Sequence, residues 1–151
     1  MPCNSLEVDI FMKMEKAAGF VTFVRDNGSF KVLLLDHGTH ISHPKGHIEK
    51  NETKLETANR ELKEETNLSM ESHSPLPVHK NKYTIKKRSR DIKKIVYLYA
   101  GIANPGEIII SDEHRRYILL DAHSKQAMDT LTYPADKESL EAALEWLDQQ
   151  N

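Results

Sequence analysis

The sequence predicts an α/β fold in which one mixed β-sheet is packed between helices. Three observations carry that expectation. Strand-like runs of aliphatic and aromatic residues lie on both sides of one carboxylate-rich helical segment over residues 54–66. Two helix-like segments close the chain. The 151 residues suffice for one core that buries about two-thirds of the unfolded surface, with no comfortable room for a second, so residues 1–151 read as a single domain.

Taken in order, residues 1–15 show no clean period, although Val8, Ile10 and Phe11 would suit an edge strand. AAGFVTFV from Ala17 reads as a strand, Asn27-Gly28 as a hairpin turn, and FKVLLLD as the partner strand. A loop from His37 to Lys45 follows, with Pro44 denying a helix there. Thr53 suits an N-cap and Glu56 completes a capping box, so a helix should run over about residues 54–66. SMESHSPLPVH reads as a surface loop. Between His79 and Lys94 lie eight Lys and Arg opposed only by Asp91. IVYLYAGI reads as a central strand, EIII as a returning strand after Pro105-Gly106, and RRYILLD as the last strand. Helices are expected over about Ala122 to Thr130 and Lys137 to Gln149; Leu140, Ala143, Leu144 and Leu147 form an apolar stripe on the second.

Charge and composition narrow the function classes. With 21 Lys and Arg against 23 Asp and Glu, the formal charge is −2, so any anion site must be local. The single cysteine, Cys3, can form no internal disulfide, which agrees with a reducing compartment and makes the cytoplasm the expected location. No apolar run approaches the roughly 20 residues that span a bilayer, and no signal-peptide pattern opens the chain. No membrane partner is expected.

The chemistry concentrates between Gly46 and Leu68. At 100° per residue, Leu55, Ala58 and Leu62 form one stripe of the helix, while Glu61, Glu64 and Glu65 crowd a face turned about 110° away. Such crowding either is a solvated acidic face or is compensated by a hard divalent cation, and carboxylates with bound water suit Mg²⁺ (or Mn²⁺). Four histidines, His37, His40, His43 and His47, crowd the preceding loop and raise zinc as a competitor, although no cysteine lies nearby.

The spacing of Gly46, Glu52, Arg60, Glu61, Leu62, Glu64, Glu65 and Leu68 resembles the signature of the Nudix hydrolases. A chance match at its six Gly, Glu and Arg positions is on the order of one in ten million per starting point. One position departs: Asn67 stands where the family has its second glycine, and Asn is the next-best residue for a left-handed helix end. The resemblance implies an α/β/α sandwich and Mg²⁺-dependent attack of water on a diphosphate. Its metal ligands would be Glu61, Glu64, Glu65 and the Gly46 carbonyl, and Glu61, Glu64 or Glu113 would take the water's proton. Arg60 and Glu52 read as a pair that pins the loop to the helix.

Shorter fragments resemble the branch of asymmetrical bis(5'-nucleosyl)-tetraphosphate hydrolases: Pro44-Lys45-Gly46-His47, Lys93, Ser111 with Glu113-His114, and Tyr133. The resemblance implies cleavage of diadenosine tetraphosphate to ATP and AMP. His40, Lys45 and Lys93 would neutralise the phosphates, and Tyr83 and Tyr133 would sandwich an adenine. Where relatives carry Trp-Thr-Pro, this chain has Ile41-Ser42-His43. Two other readings stay open. The basic run favours removal of pyrophosphate from RNA 5' ends, the one reading with a nucleic-acid partner; a non-catalytic nucleotide-binding module is the other.

Overall fold

In the computed structural model, which describes residues 13–150, the elements run β1 (Lys13–Asp26), β2 (Ser29–Asp36), β3 (Ile41–Ser42), β4 (Lys45–His47), α1 (Lys54–Thr66), β5 (Met70–His73), β6 (His79–Lys87), β7 (Arg90–Ala103), β8 (Arg116–Asp121), α2 (Lys125–Thr130) and α3 (Pro134–Asp148). Cys3, Val8, Ile10 and Phe11 lie outside the described residues, as does any edge strand they would form.

The two 14-residue strands β1 and β7 pair in parallel at the centre of an eight-stranded sheet whose other pairings are antiparallel. Both strands are apolar on both faces because both faces are covered. Ala17, Val21, Phe23, Val96, Leu98 and Ala100 pack with Leu140, Ala143 and Leu147 of α3. Ala18, Phe20, Ile95, Tyr97 and Tyr99 pack on the other side with Ala58 and Leu62 of α1. The result is a mixed sheet between helical layers, as expected. No described helix is long and apolar enough to cross a membrane.

Local chemistry explains the boundaries. Asn27 and Gly28 take φ of 49° and 84°, the pair of positive values that a two-residue hairpin requires, and Asp26 pairs with Ser29 across it. Thr53 accepts from the Glu56 amide at 3.1 Å and Glu56 returns the bond to the Thr53 amide at 2.9 Å. Asn67 ends α1 at φ 69°, ψ 3°, its amide donating to Lys63 O at 2.9 Å.

Several sequence expectations shift. Residues 107–110 form no strand, because this segment crosses the end of α1: the Ile109 amide donates to Thr66 O at 3.0 Å and Asn67 Nδ2 to Glu107 O at 3.1 Å. The segment read as loop holds β5, and the basic stretch forms β6 and the start of β7. Ser124 caps α2 by accepting from the Ala127 amide, so that helix starts three residues later than expected. Pro134, suited to the first helical position, starts α3 three residues earlier.

Candidate active site

α1 presents its carboxylates to the short strand β4. Arg60 is the hub that holds the two together. Its Nε and Nη2 donate to Glu52 at 2.6 and 3.0 Å, its Nη1 reaches Glu61 at 2.9 Å, and Nη2 donates to His47 O at 3.1 Å. The guanidinium, with the Glu49 amide, holds the Glu52 carboxyl down at about 2. Arg60 and Glu52 therefore tie the loop to the helix.

Gly46 lies against Glu61 so closely that an added Cβ would clash with the Glu61 carboxyl group. The glycine is needed for that approach. Glu65 is buried, and both its oxygens are held: the Lys45 amide donates to Oε1 at 2.8 Å, and His114 Nε2 lies 3.0 Å from Oε2. Burial first, and then the neighbouring Glu61 charge, push the Glu65 carboxyl up to about 8. Burial also raises Glu61, against the pull of Arg60. Glu61, Glu65 and Glu113 line one cavity of about 420 Å³ with Lys45, Gly46 and His114. Glu64 is not among its lining residues. Its side chain is exposed and pairs with Arg60 Nη1 at 3.2 Å.

The donors offered here are carboxylate oxygens and a backbone carbonyl, a hard set that fits Mg²⁺ or Mn²⁺. Among the described residues no three His, Cys, Asp or Glu side chains converge as a ready metal cage. An open carboxylate cavity is compatible with Mg²⁺, which keeps several waters and takes phosphate oxygens from its substrate. The four loop histidines that raise zinc do not converge on one point. His43 is fully buried with Nε2 on Asp136 O at 3.1 Å, His47 is exposed beside Glu15, and His37 and His40 stack on each other at 4.4 Å.

A second cleft, of about 610 Å³, adjoins the first and is apolar and aromatic. Tyr83, Tyr133, Val96 and Leu98 line it together with His40, Lys45, Lys94 and Asp136. Lys45 and Lys94 line both spaces. Burial, and then the Lys45 charge, lower the basicity of both His40 and Lys94. Burial and the adjacent His114 and His40 lower His37 to about 4. Further positive charge is disfavoured here, which is the electrostatic condition for receiving an anion.

Of the residues selected from the sequence, the structure brings Glu61, Glu65, Glu113, Gly46 and Lys45 to one cavity, and His40, Lys45, Tyr83 and Tyr133 to the other. Lys93 does not join them. It pairs with Thr84 and alternates with Ile95 and Tyr97 on the α1 face, whereas Lys94 alternates with Val96 and Leu98 on the cleft face. The position expected of Lys93 is therefore occupied by Lys94. His114, which the sequence offers only as part of the fragment with Ser111 and Glu113, stands in the carboxylate cavity beside Glu65. Ser111 Oγ at 2.8 Å from Nδ1 leaves Nε2 as the nitrogen that faces Glu65.

Comparison with known proteins gives the family and the fold. The NUDIX domain family matches residues 14–146. The asymmetrical bis(5'-nucleosyl)-tetraphosphatase of Caenorhabditis elegans is 32% identical over 110 residues, covering 68% of this chain and 75% of that protein. The Mus musculus protein of the same name is 31% identical over 112 residues, 68% and 76% of the two chains. In fold, the chain resembles a Caenorhabditis elegans Ap4A hydrolase binary complex with a TM-score of 0.68, at 24% identity over 89% of this chain and 98% of the other. It also resembles the NUDIX domain of Shewanella oneidensis NrtR complexed with ADP ribose, with a TM-score of 0.73, at 14% identity over 97% and 99%. The chain belongs to the NUDIX domain family, as a hydrolase similar to the asymmetrical bis(5'-nucleosyl)-tetraphosphatases.

Proposed function

We propose that the protein hydrolyses dinucleoside polyphosphates off-centre, taking diadenosine tetraphosphate to ATP and AMP. The observation that carries this reading is the junction of the two cavities through Lys45 and Lys94. A base stacked between Tyr83 and Tyr133 sends its phosphates past His40 and these lysines toward Glu61, Glu65 and Glu113. Register is then set by the base, and the carboxylate cavity meets one fixed phosphorus away from the midpoint.

A divalent cation, Mg²⁺ or Mn²⁺, held by Glu61, Glu65 and the Gly46 carbonyl with Glu64 at the rim, supplies charge neutralisation and an activated water. The chain's own groups do the rest. Lys45 and Lys94 neutralise phosphate oxygens, the Lys45 amide and His114 hold the Glu65 carboxylate in one orientation, and Arg60 does the same for Glu61. The proton of the attacking water passes to Glu61, Glu64 or Glu113.

A second reading, removal of pyrophosphate from RNA 5' ends, draws on the exposed Lys80, Lys82, Lys86, Lys87, Arg88 and Arg90 of the β6–β7 hairpin. Product analysis with Mg²⁺ on diadenosine tetraphosphate and on triphosphorylated RNA separates the two. ATP and AMP, with heavy oxygen from water in only one of them, is the expected result. Two molecules of ADP would overturn the off-centre reading, cleavage of the RNA alone would favour the second reading, and no product from either would leave a binding module.

A further inference from the structure

The aromatic cleft holds a carboxylate that nothing above employs. Asp136 stands in the first turn of α3, is 6% exposed, and lines the cleft with Tyr83 and Tyr133. Its backbone is fixed: its amide donates to Tyr133 O at 3.0 Å, and its carbonyl accepts from His43 Nε2 at 3.1 Å. Its side chain has no hydrogen-bond or ion-pair partner among the described residues. Nor is it sealed in protein, since the one buried side-chain polar atom without a partner among those residues is His43 Nδ1. The carboxylate therefore keeps a small exposed area, on a residue that lines the cleft. Its charge is felt there: Tyr83 is pushed up by burial and then by Asp136.

A carboxylate held in this way can only accept hydrogen bonds, and leaving it dry and unpaired is costly. Among the common bases, guanine alone offers two adjacent donors, N1–H and the N2 amine, to match its two oxygens. Adenine and cytosine set a ring lone pair beside their amine, and uracil flanks its single N–H with two carbonyls. Each of those three turns an acceptor toward the anion.

We infer that the cleft is a guanine-reading subsite, in which Asp136 accepts the N1–H and N2 amine of a base held between Tyr83 and Tyr133. The inference rests on the nucleotide reading above and narrows it: among dinucleoside tetraphosphates, those with guanine at the clamped end are bound best. Stacking between the tyrosines accepts either purine, and the two extra hydrogen bonds to Asp136 rank guanine above adenine.

The test is equilibrium binding of GMP, IMP and AMP to the full chain with Mg²⁺, by calorimetry. GMP should bind at least about tenfold more tightly than AMP. IMP, which keeps N1–H and lacks the 2-amino group, should bind at least roughly threefold more weakly than GMP. Asp136→Asn should bring GMP close to AMP. Equal affinity of GMP and AMP, equal affinity of GMP and IMP, or an unchanged ratio in the folded variant would each overturn the assignment. Should Asp136→Asn fail to fold, the ranking on the wild-type protein decides alone. Hydrolysis of diadenosine and diguanosine tetraphosphate keeps the two proposals apart. Off-centre cleavage of both with no ranking of the mononucleotides removes guanine reading alone, and a clear ranking with neither dinucleotide cleaved removes the hydrolase reading alone.

Discussion

Replacing Gly46 by alanine tests the carboxylate cavity at its tightest point. The added methyl would overlap with the Glu61 carboxyl, so either β4 or Glu61 must move. β4 has little freedom: Ala17, Ala18 and Gly19 of β1 pair with His47, Gly46 and Lys45, and bonds from the Phe20 amide to Pro44 O at 3.1 Å and from the Ile48 amide to Lys16 O at 2.9 Å bracket it. Glu61 is the end of a flexible side chain and gives way first. It then loses its 2.9 Å contact with Arg60 Nη1 and its place in the cavity. Arg60 keeps Glu52, so the helix stays docked, and the stability cost should fall at the low end of overpacking, about 1 kcal/mol. For a chain of this size that is a loss of roughly 2–4 °C in Tm. Catalysis should suffer far more, because displacing a reacting group by about 1 Å costs on the order of a hundredfold. Thermal melting and Mg²⁺-dependent hydrolysis of diadenosine tetraphosphate measure both. Gly28→Ala is the control, since Gly28 has a φ of 84° with no neighbour near its missing Cβ. It should lower stability by about 1–2 kcal/mol and leave the rate alone. A Gly46→Ala enzyme with wild-type rate would refute the placement of Glu61.

The other predictions probe separate parts of the fold. Asn67→Gly should be near neutral, exchanging relief of the left-handed backbone for the lost bond to Glu107 O, whereas Asn67→Val should cost about 2–3 kcal/mol in urea denaturation; equal stability of the two would refute the cap. Lys94→Ala should raise KM for the dinucleotide roughly tenfold and Lys93→Ala should change it by less than about twofold, and the reverse order would refute the facing of β7. His43 and His37 are held neutral by burial, His37 down to about 4, so below about pH 6.5 the unfolded chain takes up protons that the fold refuses. Stability is then full above that pH and falls as pH falls toward the folded-state values, by up to about 1.4 kcal/mol per pH unit for each histidine. His43→Gln, which keeps a donor for Asp136 O, should remove one of the two contributions; an unchanged slope would refute it.

What was legible in the sequence is what short-range chemistry dictates. Thr53, Glu56 and Asn67 bound α1 through contacts no more than four residues apart, and Asn27-Gly28 makes its turn alone, so each could be read without knowing the fold. The three glutamates show where that reach ends. Helical spacing puts Glu61, Glu64 and Glu65 on one face, yet β4 and the loop carrying Glu113 and His114 cover only Glu61 and Glu65, and Glu64 is left with Arg60 at the rim. Lys93 and Lys94 show it again. A half-buried strand declares its inner face by alternation, but β7 is apolar on both faces, and nothing local says which lysine shares a side with the cleft. The pairing of Tyr83 with Lys94, set by the β6–β7 register, decides it. EIII misleads for the complementary reason. Its β-branched residues suit a strand, but a strand needs a free neighbouring edge, and here the end of α1 offers Thr66 O to the Ile109 amide instead. Asp136 belongs to the same class: as the third residue of a helix it reads as an ordinary first-turn acid, and only the packing of the β6–β7 hairpin beside α3 makes it a lining residue of a cleft.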